Sequence, residues 1–255
     1  MNKFKLLSLL FLALSLYSCG TLTEEIKINE DGSGEYKAYA NLIPGIAEFV
    51  KLQISESDPD LDLSKPELND SLKLMFQEMF WRDLPDEVDS TLDLSKEIPD
   101  SIFSNPEYKD IINKLSGFLR GNKDELELNT GLEYRFDNDK DLTSLFDFLR
   151  QSQVNETQSG SIKAYVSIEI KGSKVIRKTK IPKSERLPDS EIEKIEQMVS
   201  EGKVRTVVYL PRKVKKVKGD CIVKTEDKVV VIEYNLLEYL KGEVNTDFEI
   251  TMEKK

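Results

Sequence analysis

Apolar residues recur at every second position in Glu25-Ile26-Lys27-Ile28-Asn29-Glu30 and again in Glu35-Tyr36-Lys37-Ala38-Tyr39-Ala40, with Asp31-Gly32-Ser33-Gly34 between the two runs. Successive strand side chains point to opposite faces, and Asp-Gly between alternating runs is a strong hairpin signal. The pattern predicts a β-hairpin close to the N-terminus. The period then changes. Pro44 opens a run with Ile46, Phe49, Val50 and Leu52 at helical spacing, and Ser71–Trp81 carries a broad apolar face of Met75, Phe76, Met79, Phe80 and Trp81. A further helix is expected around Tyr108–Leu119. The Met- and aromatic-rich face suits a partner surface or the domain's own core, and core is the preferred reading because an apolar helix face normally buries within its own domain.

Strand patterning returns in Glu125–Phe136, and Asp139 or Asp141 is placed to cap a helix through Leu142, Leu145, Phe146 and Leu149. After a polar loop at Gln151–Gly160, Ile162–Ile170 and Lys174–Ile181 alternate again around Lys171-Gly172-Ser173. Ser190 and Glu193 form a capping box ahead of Ile192, Ile195, Met198 and Val199, and Gly202 closes that helix. Val204–Leu210, Cys221–Val223, Val229–Tyr234 and Phe248–Met252 read as further strands. The fold expected is α+β: a mostly antiparallel sheet from N- and C-terminal strands, with a helical insertion at about 44–120 and a basic, strand-rich part at about 161–255. One such domain is expected over 19–255.

Upstream of the hairpin, Lys3 and Lys5 precede an apolar stretch from Leu6 to Tyr17, and Ser18 is a small residue before Cys19. These are the three parts of a secretory signal peptide over 1–18. The apolar run is about a dozen residues, short of the roughly 20 that cross a bilayer as a helix. Leu16-Tyr17-Ser18-Cys19 resembles the bacterial lipoprotein signature. That resemblance implies cleavage between Ser18 and Cys19, acylation of the Cys19 sulfur and amine, and anchoring to the envelope by lipid alone. Gly20 rather than Asp after the cysteine implies outer-membrane sorting. A thiolate is a good nucleophile for such a thioether, and two or more acyl chains hold a protein stably where one does not.

Composition narrows the chemistry. Histidine is absent, which removes Ser-His-Asp and Cys-His nucleophile pairs and His-ligated zinc. With Cys19 lipidated only Cys221 remains, so no internal disulfide forms, and Cys221 reads as a small buried hydrophobe. Charge is divided unevenly: residues 19–150 hold 30 acidic against 14 basic side chains, whereas residues 171–218 hold 15 basic against 6 acidic. Asp58-Pro59-Asp60-Leu61-Asp62 and Asp137-Asn138-Asp139-Lys140-Asp141 open like calcium loops. Each lacks the glycine at position six and the glutamate at position twelve, so turn and capping roles are expected. No phosphate-cradling loop, nucleophile elbow or cofactor motif is found, and no cofactor is expected.

Arg212, Lys213, Lys215, Lys216 and Lys218 form the one basic run with a physical use, as contacts to anionic headgroups. On a strand they divide between two faces. Nucleic acid is not the expected partner of an exported chain with this acidic balance. The hairpin Ile28-Asn29-Glu30-Asp31-Gly32-Ser33-Gly34 resembles the start of uncharacterised Bacteroidetes-type lipoproteins. Val208-Tyr209-Leu210-Pro211, Val214, Val229–Tyr234 and the final strand are similar to the LppM-type envelope lipoprotein domain. The resemblance implies an α+β envelope module, with lipid binding as one role and no catalytic residues to carry over.

The reading that follows is a lipid-anchored, non-catalytic binding or accessory module with an envelope protein as partner. A lipid or glycolipid binder using 171–218 is the alternative, and a carboxylate-dependent hydrolase a further one. Mass spectrometry of the membrane-extracted chain should find a mature end at Cys19 carrying acyl mass, and Cys19→Ala should shift the chain to the aqueous phase. An unmodified Cys19 contradicts the lipoprotein reading.

Overall fold

The computed structural model describes residues 21–43, 84–94, 106–125, 127–152, 164–182 and 202–254, with isolated positions between them. The hairpin forms as its alternation predicts. Strand β1 (Thr21–Ile28) pairs antiparallel with β2 (Gly34–Asn41) from Leu22↔Ala40 to Ile28↔Gly34. Asp31 accepts from the Ser33 amide at 3.0 Å, and Gly32 takes a positive φ of 87° that the turn requires.

Ten further strands follow among the described residues. They are β3 (Glu87–Asp93), β4 (Leu115–Asn122), β5 (Glu127–Phe136), β6 (Tyr165–Lys171), β7 (Lys174–Lys180), β8 (Lys203–Tyr209), β9 (Val214–Gly219), β10 (Ile222–Glu226), β11 (Val229–Asn235) and β12 (Phe248–Met252). Among the described residues, three helices with defined ends join them: α1 (Pro106–Lys114), α2 (Asp139–Ser152) and α3 (Leu236–Lys241). The larger sheet has eight strands in the order β10-β11-β8-β1-β2-β5-β4-β3, and the smaller has four in the order β6-β7-β12-β9. Only the β1–β8 pairing is parallel among the described ladders. The described fold is thus mostly β, in two largely antiparallel sheets.

The inward-facing residues of both sheets join one buried cluster. Ile26, Ile28, Val208, Val230 and Phe136 of the larger sheet meet Ile168, Val175, Phe248, Ile250 and Met252 of the smaller. Ile111 and Ile112 of α1, and Leu142, Leu145 and Phe148 of α2, close its flank. A second, smaller cluster gathers Leu42, Ile43, Trp81, Val88, Leu119 and Leu128 beside the β3–β4–β5 end. Trp81 therefore packs inside, as expected, while Met75 is exposed. Phe76, Met79 and Phe80 lie outside the described residues.

The middle of the chain departs from expectation. The helix expected over 108–119 stops at Lys114, and Leu115–Asn122 continues as a strand paired with β5, Leu115 against Tyr134 and Phe118 against Gly131. Ile111, Ile112, Leu115 and Leu119 mimic a helical stripe. Gly117 and Gly121 weaken helix propagation there, and pairing with β5 decides the outcome. Together with β3, this makes the described part of 44–120 a mixture of strand and helix; the helices expected over 44–80 fall on residues largely outside the description. Of the helix expected after the capping box, positions 190, 192, 193 and 196 are described and helical. At α2 the cap is Asn138, whose Oδ1 accepts from the amides of Lys140 and Asp141, rather than Asp139 or Asp141 themselves.

Asp139 has another task. The smaller sheet leaves β6 at its edge, and α2 lies along that edge. Asp139 accepts from the Ile170 amide at 3.0 Å, and the Thr143 hydroxyl accepts from the Ile168 amide at 3.3 Å. Side chains of a helix thus occupy donors that would otherwise template another strand.

The backbone approaches closely at Gly131, between β2 and β4. A Cβ built there lies 2.1 Å from the Ala38 carbonyl oxygen and 2.6 Å from the Tyr39 Cβ. Overpacking costs about 1–3 kcal/mol or more when the neighbour is rigid. Gly131→Ala should therefore cost at least about 2 kcal/mol of stability, read as a lower urea midpoint by circular dichroism. An unchanged midpoint contradicts that packing.

Candidate functional site

Ser18 and Cys19 lie outside the described residues, so the structure bears on them only through where β1 begins. Thr21 is already in the ladder, opposite Lys203 of β8. No helix among the described residues is long and apolar enough to cross a membrane.

The register of the smaller sheet decides where the basic residues go. Ile250 pairs with Val175 and Val217, and all three point into the core side of the sheet. Their neighbours therefore point outward. One row across the strands reads Lys171, Lys174, Thr251, Lys216; the next reads Glu169, Ile176, Glu249, Lys218. Lys178 and Lys180 continue the outer face of β7. Six lysines thus share one exterior face. Glu249 sits among them, 3.0 Å from the Lys174 Nζ and 3.6 Å from the Lys218 Nζ, and Lys174 above all holds its carboxyl below the usual carboxylate range. Glu169 pairs with Lys171 at 2.7 Å and Asp247 with Lys178 at 3.8 Å. Lys180, Lys215 and Lys216 make no ion pair among the described residues.

The basic run is accordingly dispersed. Lys216 and Lys218 join the outer face. Lys215 sits at the irregularity where β9 shifts register against Thr251 and Met252, and it is exposed. Lys213 turns to Asp227, 3.2 Å away. Arg212 is a clamp, its side chain only 18% exposed: it donates to the Gly172 carbonyl at 2.7 Å and the Glu253 carbonyl at 3.1 Å, with Glu30 at 3.6 Å. Sequence reasoning grouped these five by adjacency. The structure groups Lys216 and Lys218 with Lys171, Lys174, Lys178 and Lys180, residues 36 or more positions away in sequence.

The inner side of the same sheet holds a polar cluster that sequence reasoning did not single out. Arg177 of β7 is 4% exposed and its Nη1 lies 2.6 Å from the Glu24 Oε2 on β1. The Thr206 hydroxyl donates to Glu24 at 2.8 Å and the Tyr36 hydroxyl at 3.1 Å. Burial alone would raise the Glu24 carboxyl, but the Arg177 charge and these donors outweigh it and leave it below its ordinary 4.5. Burial raises the Tyr234 phenol well above its ordinary range and the Tyr239 phenol to about 12, so both stay neutral around the pair. The parity was legible: Glu24 shares its face with Leu22 and Ile26, and Arg177 shares its face with Val175.

The acidic motif at 137–141 does not converge on a vacancy for a cation. The Lys114 ammonium reaches Asp137 at 2.6 Å and Asp141 at 3.0 Å, and Asp139 is committed to the Ile170 amide. Asp58–Asp62 lies outside the described residues. Cys221 stands just before β10, half-buried, its thiol donating to the Asn245 carbonyl at 3.4 Å.

No protein-family model matches the chain, and no curated protein matches it. Among solved structures, the folded domain of the Mycobacterium tuberculosis LppM protein, determined by NMR, is similar at 15% identity and a TM-score of 0.36, over 93% of this chain and 91% of that one.

The Glu24–Arg177 pair gives a signed expectation. A carboxyl with a depressed folded-state pKa contributes stability present above its unfolded value, near 4.5, and lost as pH falls through the folded value. Stability should therefore drop on acidification below about pH 4.5, and Glu24→Gln should remove that component of the slope. Because the substitution strands a buried guanidinium, it should also cost about 3–5 kcal/mol at neutral pH, seen in urea titration. A neutral-pH loss under about 1 kcal/mol contradicts a load-sharing pair.

Proposed function

We propose that this protein is a non-catalytic binding module of the cell envelope, held there by lipid on Cys19, whose contact surface is the cationic outer face of the smaller sheet. The observation that carries the reading is the register that places Lys171, Lys174, Lys178, Lys180, Lys216 and Lys218 on one exterior side. Lysines at this density repel one another, and the three acids among them offset only part of the charge. Such a face is stabilised by an anionic partner, and its attraction is long-ranged enough to steer one.

The described acidic groups support a binding role over a hydrolytic one. Among the described residues, the carboxylate drawn deepest, Glu24, is matched to Arg177, and the half-buried Asp141 and Asp139 to Lys114 and the Ile170 amide. A general acid needs a raised carboxyl beside a lowered one. Glu24 and Asp141 are both lowered, the one despite burial through Arg177, the other despite burial through Lys114.

Affinity capture from envelope extracts tests the reading. The native chain should retain an anionic component that elutes with salt, and the double variant Lys174→Glu, Lys216→Glu should retain several-fold less while melting at the same temperature. Equal, salt-insensitive capture by both chains overturns it.

A further inference from the structure

Two contacts fix how the smaller sheet lies along β1. Arg177 meets Glu24, and Arg212 ties Glu30 to the Gly172 carbonyl in the β6–β7 turn. Strand β7 therefore runs back along β1, its Lys174 end beside the β1–β2 turn and its Lys180 end toward Thr21. The row Lys171–Lys174–Thr251–Lys216 sits at the turn end. From Thr21 to Glu24 is about 10 Å of strand, and from Arg177 to Lys174 about another 10 Å.

With the chain anchored at Cys19, as the proposed function holds, one residue separates the acylated position from the Thr21 rung of the ladder. If β1 stands on the bilayer, the Lys171–Lys174–Lys216 row is about 20 Å above Thr21, beyond the roughly 8 Å over which charges act at physiological salt. If the smaller sheet instead lies flat on the bilayer, Thr21 in the larger sheet is lifted by the sheet spacing of about 10 Å plus a layer of lysine side chains. The tether from Cys19 to Thr21 spans only about 7 Å. Neither pose brings this row to the headgroups of the membrane that holds the chain.

The residue types on the face point to the kind of anion. Cores of protein interfaces are enriched in aromatic residues and arginine and depleted in lysine. Here the cationic groups of the strands are all lysine and the arginine of β7, Arg177, is turned inward, while the aromatic at the rim, Tyr165 opposite Lys180, is covered by Arg150, 4.3 Å from its ring centre. Ile176 is the apolar residue in the middle of the face, and it is half-buried. Lysine is a mobile point charge rather than a planar fork, suited to diffuse attraction along a charged chain. We propose that the far end of the cationic face, the Lys171–Lys174–Lys216 row with Lys218 beside it, binds an extended, flexible polyanion in the space beyond the anchoring membrane, not that membrane's own headgroups; Lys178 and Lys180 lie toward the Thr21 end and are no part of that site.

The test compares the acylated chain purified from membranes and reconstituted in phosphatidylcholine vesicles with the unlipidated mature chain in solution, using heparin and linear polyphosphate as probes. Both forms should bind both probes with similar, salt-dependent affinity, and Lys174→Glu, Lys216→Glu should weaken each at least about tenfold, while Lys224→Glu on β10 changes it less than twofold. Unlipidated chain should also prefer these polymers to vesicles containing phosphatidylglycerol. Binding by the free chain that vanishes on the vesicle surface overturns the inference and leaves the cationic-face reading intact. Stronger binding to phosphatidylglycerol vesicles than to polymer likewise overturns it. Failure of both forms to bind any anionic probe sinks the cationic-face reading itself, and recovery of a membrane-extracted chain without acyl mass removes the premise.

Discussion

The Glu24–Arg177 ion pair crosses from the larger sheet to the smaller, and the orientation of the smaller sheet depends on it. A buried guanidinium with no carboxylate is far more costly than a paired one, so the pair tolerates one parity of β7. Slipping that strand by a single residue would send Arg177 outward and drive Lys174 and Lys178 into the space between the sheets. The lysine-covered exterior is thus a consequence of what the interior requires. Thr206 and Tyr36 complete the carboxylate's hydrogen bonds, and the neutral phenols of Tyr234 and Tyr239 line the same region without competing for the charge.

Much of this architecture was legible as alternation. The hairpin, β7, β8 and β12 each show a period of two, because one face of each is buried and the other is not, whereas β11 buries Val230, Val231 and Ile232 in succession. The α2 helix was equally clear from Leu142, Leu145, Phe146 and Leu149. What failed was the segment after Lys114, where Ile111, Ile112, Leu115 and Leu119 imitate a helical stripe. A helix running into a strand with no intervening loop keeps one buried side throughout, and local periodicity cannot see the change of geometry. The α3 helix escaped for the opposite reason: six residues capped by Asn235 and closed by Gly242 are too few to display a period.

The candidate surface was half-legible. Adjacency in sequence suggested 212–218 as the unit, yet strand geometry separates Arg212 and Lys213 from Lys216 and Lys218 and recruits lysines from β6 and β7. Only the pairing register, set by β12 lying between β7 and β9, brings these distant segments side by side. Arg212 illustrates the cost of reading charge without partners. Its guanidinium is spent on two backbone carbonyls and is a fastener of the Gly172 and Glu253 ends rather than part of a recognition surface. Glu24 and Arg177, by contrast, could have been found by asking which charges fall on the apolar parity of their strands.

The position of β1 has a mechanical meaning. It lies inside the larger sheet, held on one side by the antiparallel β2 and on the other by the parallel β8, with the ladder engaged from Thr21 onward. A pull applied just before Thr21 acts along the strand axis, so both rows of hydrogen bonds resist together in shear instead of opening one after another as at a sheet edge. Tension at that end would be carried straight through Ile26 and Glu24 into the core. The attachment proposed at Cys19 would load the fold along this line.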